Sequence, residues 1–293
     1  MADKNINKDS NSAEEQLFSK LELSYKKSKA DVWSELEGMM GEAPTVAEAI
    51  IAPKKVKSIS WISYSIAASI ILFLTFGLFA RLYTKTVEVG AGELSSHTLP
   101  DGSIVHLNAV SGIHYNPYWW RFNREVGLEG EAFFEVEKGE RFTVISKLGS
   151  TQVLGTKFNI YARGNAYEVF CESGKVQVSD SQLAKVILLP GEFAEIKADK
   201  VVKSTEVVQS STILAWRRGQ FMYNTTPFAK VFSDLERQYD VKIQMEDQSI
   251  ATENYTGIFE RPERLEDALQ IICLGFDLTF ERKTDGSYLI KKK

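Results

Sequence analysis

An uncharged apolar stretch from Ser58 to Ala80 dominates the hydrophobic pattern of this 293-residue chain. It lies between Lys57 and Arg81 and runs for 23 residues. At about 1.5 Å of rise per residue, a helix of this length covers the roughly 30 Å hydrocarbon core of a bilayer. Trp61 and Tyr83 lie near its two ends, and such residues are typical of the lipid–water interface. The pattern therefore predicts a single membrane-spanning helix over residues 58–80.

The position and flanking charges of this stretch predict its topology. A cleavable signal peptide would have a shorter apolar core, of roughly 7–15 residues, close to the N-terminus. Three lysines, Lys54, Lys55 and Lys57, precede the stretch, whereas Arg81 and Lys85 follow it. This small positive excess favours a cytoplasmic N-terminus. We therefore expect a single-pass protein of the inner membrane, with residues 1–57 in the cytoplasm and the C-terminal part in the periplasm.

Two short amphipathic helices are predicted before the membrane. Ser12 with Glu15, and Ser28 with Asp31, are capping-box patterns that each precede an apolar stripe. Because helices of this length are marginal in isolation, the two either pack on each other or fold on a cytoplasmic partner. Residues 42–57 are predicted to form a tether to the membrane. If a partner binds here, the apolar stripes predict contacts through Leu17, Phe18, Leu21, Val32, Trp33 and Leu36.

After the membrane stretch, residues 84–208 have the pattern of an all-β domain. Short alternating runs such as KFNIYA, YEVFCE and KVQV are separated by turn residues, as in a sandwich, roll or solenoid. In EAFFEV, Ala132, Phe134 and Val136 alternate with Glu131, Phe133 and Glu135. We expect the core of this domain to contain Phe134, Val136, Leu154 and Phe158.

The period changes after Trp216, where helices and strands alternate. Thr226 as N-cap and Pro227 as the first helical residue predict one helix, and a second amphipathic helix ends before Gly275. Strands are expected at Gly219–Tyr223, VKIQM, YTGIF, DLTF and SYLI. This order, βαβ–βαββ, predicts a compact α+β domain over residues 214–293. The predicted fold class is thus a multidomain membrane protein with a short helical N-terminal segment, one membrane span, an all-β domain and a small α+β domain.

Composition and motifs argue against several functional classes. The chain carries 35 Lys and Arg against 39 Asp and Glu, so it lacks the basic surplus of a direct nucleic-acid binder. Cys171 and Cys273 fall on apolar faces, which predicts buried free thiols and no disulfide framework. The histidines His97, His106 and His114 are interpreted as polar surface residues. No catalytic, metal-binding or cofactor-binding motif is present, so no enzyme is expected.

Several long motifs occur in the order found in one family. LPDGSIVHLNAVSGIHY, REVGLEGEAFFEVEKG, VLGTKFNIYA and LPGEFAEI together resemble the FecR family of transmembrane anti-sigma regulators. The segment AWRRGQFMYNTTPFAKVFSDLERQYDVKI resembles the C-terminal domain of that family, which is similar to the short N-terminal domain of secretins and TonB-dependent transducers. The resemblance covers roughly residues 84–293 and is specific, since the motifs lie in register.

The resemblance implies a signalling chain. A TonB-dependent outer-membrane receptor would present its periplasmic signalling domain to the exported part, and residues 1–57 would hold an extracytoplasmic-function sigma factor. In such families, release of the sigma factor often involves stepwise cleavage by envelope proteases. Some members are also cut within the β domain, and hydroxyl attack at a strained Gly155–Thr156 bond would cleave the chain there. The cytoplasmic part is shorter than in many of these regulators, which leaves its mode of sigma binding open.

Two other functional hypotheses remain open at the level of sequence. The first is an envelope structural adaptor for a secretin-type channel or the cell wall, and deletion of residues 1–40 would then leave its phenotype intact. The second is an exported enzyme, which would need one of the three histidines within hydrogen-bond reach of a buried carboxylate.

Overall fold

The computed structural model describes residues 27–41, 61–204 and 209–293. By its contacts the chain separates into two units, Met1–Ser60 and Trp61–Lys293, each of which is described by itself. Outside the described residues lie the first predicted N-terminal helix, the tether over 42–57 and the predicted contact residues Leu17, Phe18 and Leu21.

In the first unit, helix α1 spans Lys29–Met40. The predicted capping box is present, with Ser28 as N-cap: Ser28 Oγ accepts a hydrogen bond from the backbone N–H of Asp31, and Asp31 Oδ2 accepts one from the N–H of Ser28 at 3.1 Å. This pairing satisfies two backbone donors that a helix start otherwise leaves without partners. Gly41 forms the C-cap in an extended conformation, so the helix stops where the apolar stripe stops.

The second unit begins with helix α2, Trp61–Leu82. Within the described residues, it is the one helix long and apolar enough to cross a membrane, over Tyr64–Leu82. Large apolar side chains are exposed on every side of it, among them Phe73 at 77% and Leu72 at 69%. An exposed surface of this kind is stable against lipid and unfavourable against water. The prediction of one long apolar helix near the N-terminus is therefore confirmed.

Thirteen strands follow, which we call the β region. They are β1 Lys85–Val89, β2 Ser95–Thr98, β3 Ile104–Leu107, β4 Ser111–Tyr115, β5 Arg124–Glu135, β6 Phe142–Ile145, β7 Gly149–Val153, β8 Lys157–Arg163, β9 Ala166–Ser173, β10 Val176–Asp180, β11 Lys185–Leu188, β12 Phe193–Lys197 and β13 Lys200–Lys203. The predicted all-β character of this part of the chain is confirmed.

Strand β5 joins the two halves of the β region. Its first half pairs with β4 and with β6, and its second half pairs with β3 and β8. The change of partners occurs at Gly130, which has a φ of +101°. A Cβ atom at this position would lie 2.5 Å from Ser111 Oγ, so only glycine fits both the backbone conformation and the close approach.

The main core lies between the two halves of the β region. Phe134, Val136 and Phe158 are buried as predicted, and the rings of Phe134 and Phe158 stack at 5.1 Å. Leu154 is 65% exposed, so its predicted place in the core was wrong. Strand β7 ends at Val153, and the following bend removes Leu154 from the alternation of the strand.

A second, smaller cluster covers the outer face of β5. Phe133 is fully buried there against Phe170 and Leu214. Leu214 belongs to a connecting segment formed by helix α3, Ser210–Ile213, and a 3-10 turn, Ala215–Arg218. This segment, which we call the linker, therefore packs on the sheet and supplies the apolar cover for a strand face that would otherwise meet water.

The C-terminal region has its own core, formed between its helices and strands. Its elements are β14 Gln220–Pro227, α4 Phe228–Tyr239, β15 Ile243–Met245, α5 Gln248–Thr252, β16 Asn254–Glu260, α6 Leu265–Leu274, β17 Leu278–Arg282 and β18 Tyr288–Lys292. Strand β14 pairs with β16, and β15, β18 and β17 form a separate three-stranded sheet.

The predicted start of the helix α4 was wrong by one residue. Pro227, rather than Thr226, is the N-cap, and it makes no side-chain cap. Pairing of β14 with β16 continues to Pro227, which keeps Thr226 in the strand. The backbone N–H of Phe228 instead donates to Glu253 O at 2.9 Å. Strand pairing thus overrides the local capping signal.

Candidate functional site

Helix α1 presents an apolar stripe that remains exposed. Trp33 is 63% exposed, Leu36 is 43% exposed and Val32 is partly buried. Met39 and Met40 extend the same stripe and are also exposed. Large apolar side chains that share one face of a capped helix are typical of a groove-filling binding element. Of the six predicted contact residues, the structure brings these three together on α1.

Gly155 and Thr156 lie in the tightly packed connection between strands β7 and β8. Gly155 has a φ of +141°, and a Cβ atom there would lie 2.8 Å from the Cα atom of Lys138. Thr156 is buried, and its Oγ1 donates a hydrogen bond to Lys175 O at 3.1 Å. A register irregularity follows at Lys157 and Phe158. The peptide bond between Gly155 and Thr156 thus lies in backbone that only glycine adopts easily, next to an ordered hydroxyl.

A cavity of about 180 Å³ lies between the β region, the linker and the C-terminal region. Glu131 lines it, and its two carboxylate oxygens accept hydrogen bonds from Asn159 Nδ2 at 3.0 Å and from Asn108 Nδ2 at 2.8 Å. Burial raises the pKa of Glu131, although both hydrogen bonds act in the opposite direction. No local sequence pattern marks this group, because Glu131 on β5, Asn159 on β8 and Asn108 just after β3 are far apart in the chain.

Several polar atoms around this cavity lack a hydrogen-bond partner. They are Asn159 Oδ1, Trp216 Nε1 and Gln238 Nε2, together with the hydroxyl of Tyr223, which lies near Asp234 without a hydrogen bond of normal geometry. Buried polar atoms of this kind usually bind ordered water. The boundary between the two regions thus contains several polar groups beside the apolar contacts of the linker.

Direct contacts hold the C-terminal region against the β region. Lys230 on α4 donates to both carboxylate oxygens of Glu168 on β9, at 3.0 and 2.9 Å, and its ammonium lies 4.4 Å from the ring centroid of Tyr161. This carboxylate raises the pKa of Lys230 despite the burial of the amine. At the other end of α4, the N–H of Gly92 donates to Arg237 O at 3.0 Å. These contacts connect the C-terminal region to strand β9 and to the turn that contains Gly92.

Two of the three histidines, which were predicted to be polar surface residues, are partly buried and contact other polar side chains. Only His114 is exposed, whereas His97 Nε2 lies 2.8 Å from the hydroxyl of Tyr115 and His106 Nε2 lies 3.1 Å from Glu135 Oε1. Glu135 also pairs with Lys157 and Arg217, and its hydrogen bonds with Lys157 and His106 lower its pKa. A half-buried carboxylate shared among cations belongs to an ion-pair network, and it does not supply the buried acid–base pair that an enzyme would need.

Both cysteines are buried and free, as predicted. Burial raises the pKa of each thiol to about 11, so neither is a reactive thiolate at neutral pH. Among the described residues, no group of three His, Cys, Asp or Glu side chains is arranged to hold a metal ion.

The strand edges of the C-terminal region differ in their side chains. Strand β16 carries Ile258, which is 65% exposed, and few charges between its ends. Strand β17 instead exposes Glu281 and Arg282, and charges of this kind discourage the addition of another strand. The edge of β14 lies beside the linker, which contacts that strand. The outer edge of β16 is therefore the best suited to pair with an incoming strand.

Comparisons with known proteins agree with these features. Residues 85–177 match the model of the family described as FecR protein, and residues 220–290 match that described as FecR, C-terminal. Two crystal structures of a candidate anti-sigma factor from Parabacteroides distasonis are similar, each at 29% identity. The first covers 72% of this chain and 100% of that chain with a TM-score of 0.66, and the second covers 71% and 99% with a TM-score of 0.65. No curated protein matches the sequence.

Proposed function

The chain belongs to the FecR family of anti-sigma factors, and on this premise we propose that it is a single-pass signal transducer of the inner membrane. Residues 1–57 bind an extracytoplasmic-function sigma factor in the cytoplasm, and the span over 58–80 carries the signal. The periplasmic β domain over 84–208 and the α+β domain over 214–293 receive it from a TonB-dependent outer-membrane receptor. The positive charges that precede the span support this orientation.

The observation that carries the sigma-binding proposal is the exposed stripe of α1. Trp33 is 63% exposed. A tryptophan side chain offers up to about 250 Å², so roughly 150 Å² is available for contact, and its burial is worth about 4 kcal/mol at 25 cal/mol per Å². Alanine retains a part of this area. We therefore expect Trp33→Ala to weaken sigma binding by about 2–3 kcal/mol, or about 30- to 150-fold.

The experiment is a pull-down of sigma factors by the full-length protein. Wild type is compared with Trp33→Ala plus Leu36→Ala, and the matched control is Ser34→Ala on the opposite face of α1. We expect wild type and the control to recover a sigma factor and the double variant to lose it. Equal recovery by all three would keep sigma binding and reject these contact residues. If wild type recovers no sigma factor, the sigma-binding proposal fails, and the envelope adaptor becomes the better hypothesis.

On the periplasmic side, we assign the receptor contact to the outer edge of β16. The signalling domain of the receptor would add a strand there, with main-chain hydrogen bonds supplying affinity and Ile258 supplying an apolar contact. Ile258→Lys should then weaken binding of the isolated signalling domain, measured by calorimetry with the full-length protein. The control is Thr279→Lys on β17, an exposed position at another edge. Equal effects of the two substitutions would argue against this edge.

Self-cleavage at Gly155–Thr156 is the remaining part of the proposal. Thr156 Oγ1 would attack the carbonyl carbon of Gly155, the C–N bond would break, and the resulting ester would be hydrolysed by water to a Gly155 carboxylate and the free hydroxyl of Thr156. The backbone conformation of Gly155 and the ordered hydroxyl support this step. Mass spectrometry of purified protein should detect the two fragments in wild type and in Thr156→Ser, but not in Thr156→Ala. The same fragments from Thr156→Ala would identify a protease instead.

A further inference from the structure

One asparagine attaches the end of helix α2 to the β region. Asn116 Nδ2 donates hydrogen bonds to Ala80 O at 2.9 Å and to Arg81 O at 2.6 Å. Both carbonyls lie in the last turn of α2, where backbone acceptors lack partners within the helix. Asn116 Oδ1 also accepts hydrogen bonds from the backbone N–H groups of Tyr118 and Trp119, at 3.0 and 2.9 Å. A single side chain therefore holds the turn over 117–122 beside the helix end.

This turn exposes aromatic side chains next to those of the helix. Tyr118 is 57% exposed and Phe122 is 72% exposed. The ring of Tyr118 lies 6.2 Å from that of Phe79 and 5.2 Å from that of Tyr83. Trp119 and Phe122 are in contact with each other at 4.8 Å between ring centroids. The aromatic surface of α2 is thus continued by a surface of the β region that is distant from it in sequence.

Cations border the same surface. The guanidinium of Arg81 lies 5.6 Å from the ring centroid of Trp119, and Arg121 is exposed within the turn. A mixture of aromatic rings and arginines at the end of an apolar helix matches the headgroup region of a bilayer, where rings lie between lipid and water and arginines meet lipid phosphates.

We propose that the turn over 117–122 and the C-terminal end of α2 form a membrane-docking surface, which lies in the headgroup region of the bilayer that α2 crosses. This inference rests on the proposed membrane span. The occupant is lipid, because the hydrogen bonds of Asn116 keep the turn within one helical turn of the place where α2 leaves the hydrocarbon core. Because Asn116 joins this turn to the end of α2, a displacement of the β region moves the helix end directly.

Spin-label accessibility in the full-length protein tests the proposal. The protein is reconstituted in vesicles of phosphatidylethanolamine and phosphatidylglycerol, and a nitroxide is attached at Phe122→Cys. Two controls are Leu72→Cys within the span and Leu183→Cys, which is 76% exposed in the turn between β10 and β11. The native thiols are buried, so labelling of the unsubstituted protein measures a small background. Power saturation compares collisions with oxygen, which enters lipid, and with a nickel chelate, which stays in water.

We expect the label at position 122 to be severalfold less accessible to nickel than that at position 183, and to lie between the two controls in depth. Equal nickel accessibility at 122 and 183, with the label at 72 protected, would overturn membrane docking while keeping the span. Nickel access at position 72 would overturn the span and the docking surface together. As a second arm, Asn116→Ala should raise nickel accessibility at position 122, because the turn is no longer held to the helix end.

Discussion

Replacing Phe133 by alanine should release the linker from the β region. Phe133 is fully buried, yet it lies on the face of β5 that points away from the main core. Its cover comes from Leu214 of the linker and from Arg217, whose guanidinium lies 3.9 Å from the ring centroid. Phe170 lies beside Phe133 on the same cluster, so the complete burial of Phe133 requires the docked linker in addition to the sheet.

The size of the effect follows from this geometry. Truncation of a fully buried phenylalanine to alanine typically costs about 3–5 kcal/mol, and loss of a cation–π contact costs about 0.5–2 kcal/mol. Part of the cavity will be filled as the linker relaxes, so we take about 3 kcal/mol as the loss in docking free energy. This loss raises the population of the undocked linker by about 150-fold.

Limited proteolysis with trypsin measures that population, because Arg217 and Arg218 lie in the docked 3-10 turn. When the linker opens and closes faster than trypsin cuts, the cleavage rate follows the opening equilibrium. Cleavage there should accelerate by about 150-fold in Phe133→Ala. The matched control is Phe134→Ala, which is equally buried but in the main core, and which should mainly lower the free energy of unfolding of the β region.

Equal effects of the two substitutions on both measurements would contradict the covering role of the linker. In particular, an unchanged rate of linker cleavage in Phe133→Ala, together with a loss of global stability like that of Phe134→Ala, would mean that the linker contributes nothing to the burial of Phe133.

Three further predictions concern local features of the fold. Ser28→Ala removes the capping box of α1 and should lower the stability of that helix by about 1 kcal/mol, seen as faster amide exchange over Lys29–Met40, whereas Ser34→Ala should not. Gly130→Ala should destabilise the β region in thermal unfolding by at least the roughly 1–3 kcal/mol of a strained backbone conformation, and adding Ser111→Ala should recover little of it, because Cβ and Cα of residue 111 also lie within 2.7 Å of the added Cβ atom. Glu131 has a raised pKa, so the folded state retains a proton that the unfolded state has lost. The free energy of unfolding should therefore fall as pH rises above the ordinary value of 4.5 to the raised folded pKa, and Glu131→Gln should flatten that slope; an unchanged slope would contradict the burial of this carboxylate.

The features that the sequence determined by itself are those that depend only on residues close together in the chain. A run of 23 residues without charge determines an apolar helix wherever it occurs, because the free energy of transfer of each residue from water to lipid depends on that residue alone. The capping box of Ser28 and Asp31 acts over three residues and was present as predicted. The alternation in EAFFEV likewise identified Phe134 and Val136 as core residues, because strand geometry sends alternate side chains to opposite faces.

Only the tertiary structure decided which surfaces are covered. Phe133 is buried because a linker some eighty residues later in the chain packs on it, and Leu154 is exposed because its strand ends one residue earlier. Thr226 lost its capping role to strand pairing with β16. The carboxylate of Glu131 and the contact of Asn116 with the end of α2 also join residues far apart in sequence. Burial and pKa depend on every atom nearby in space, and local patterns do not record which distant segments those atoms come from.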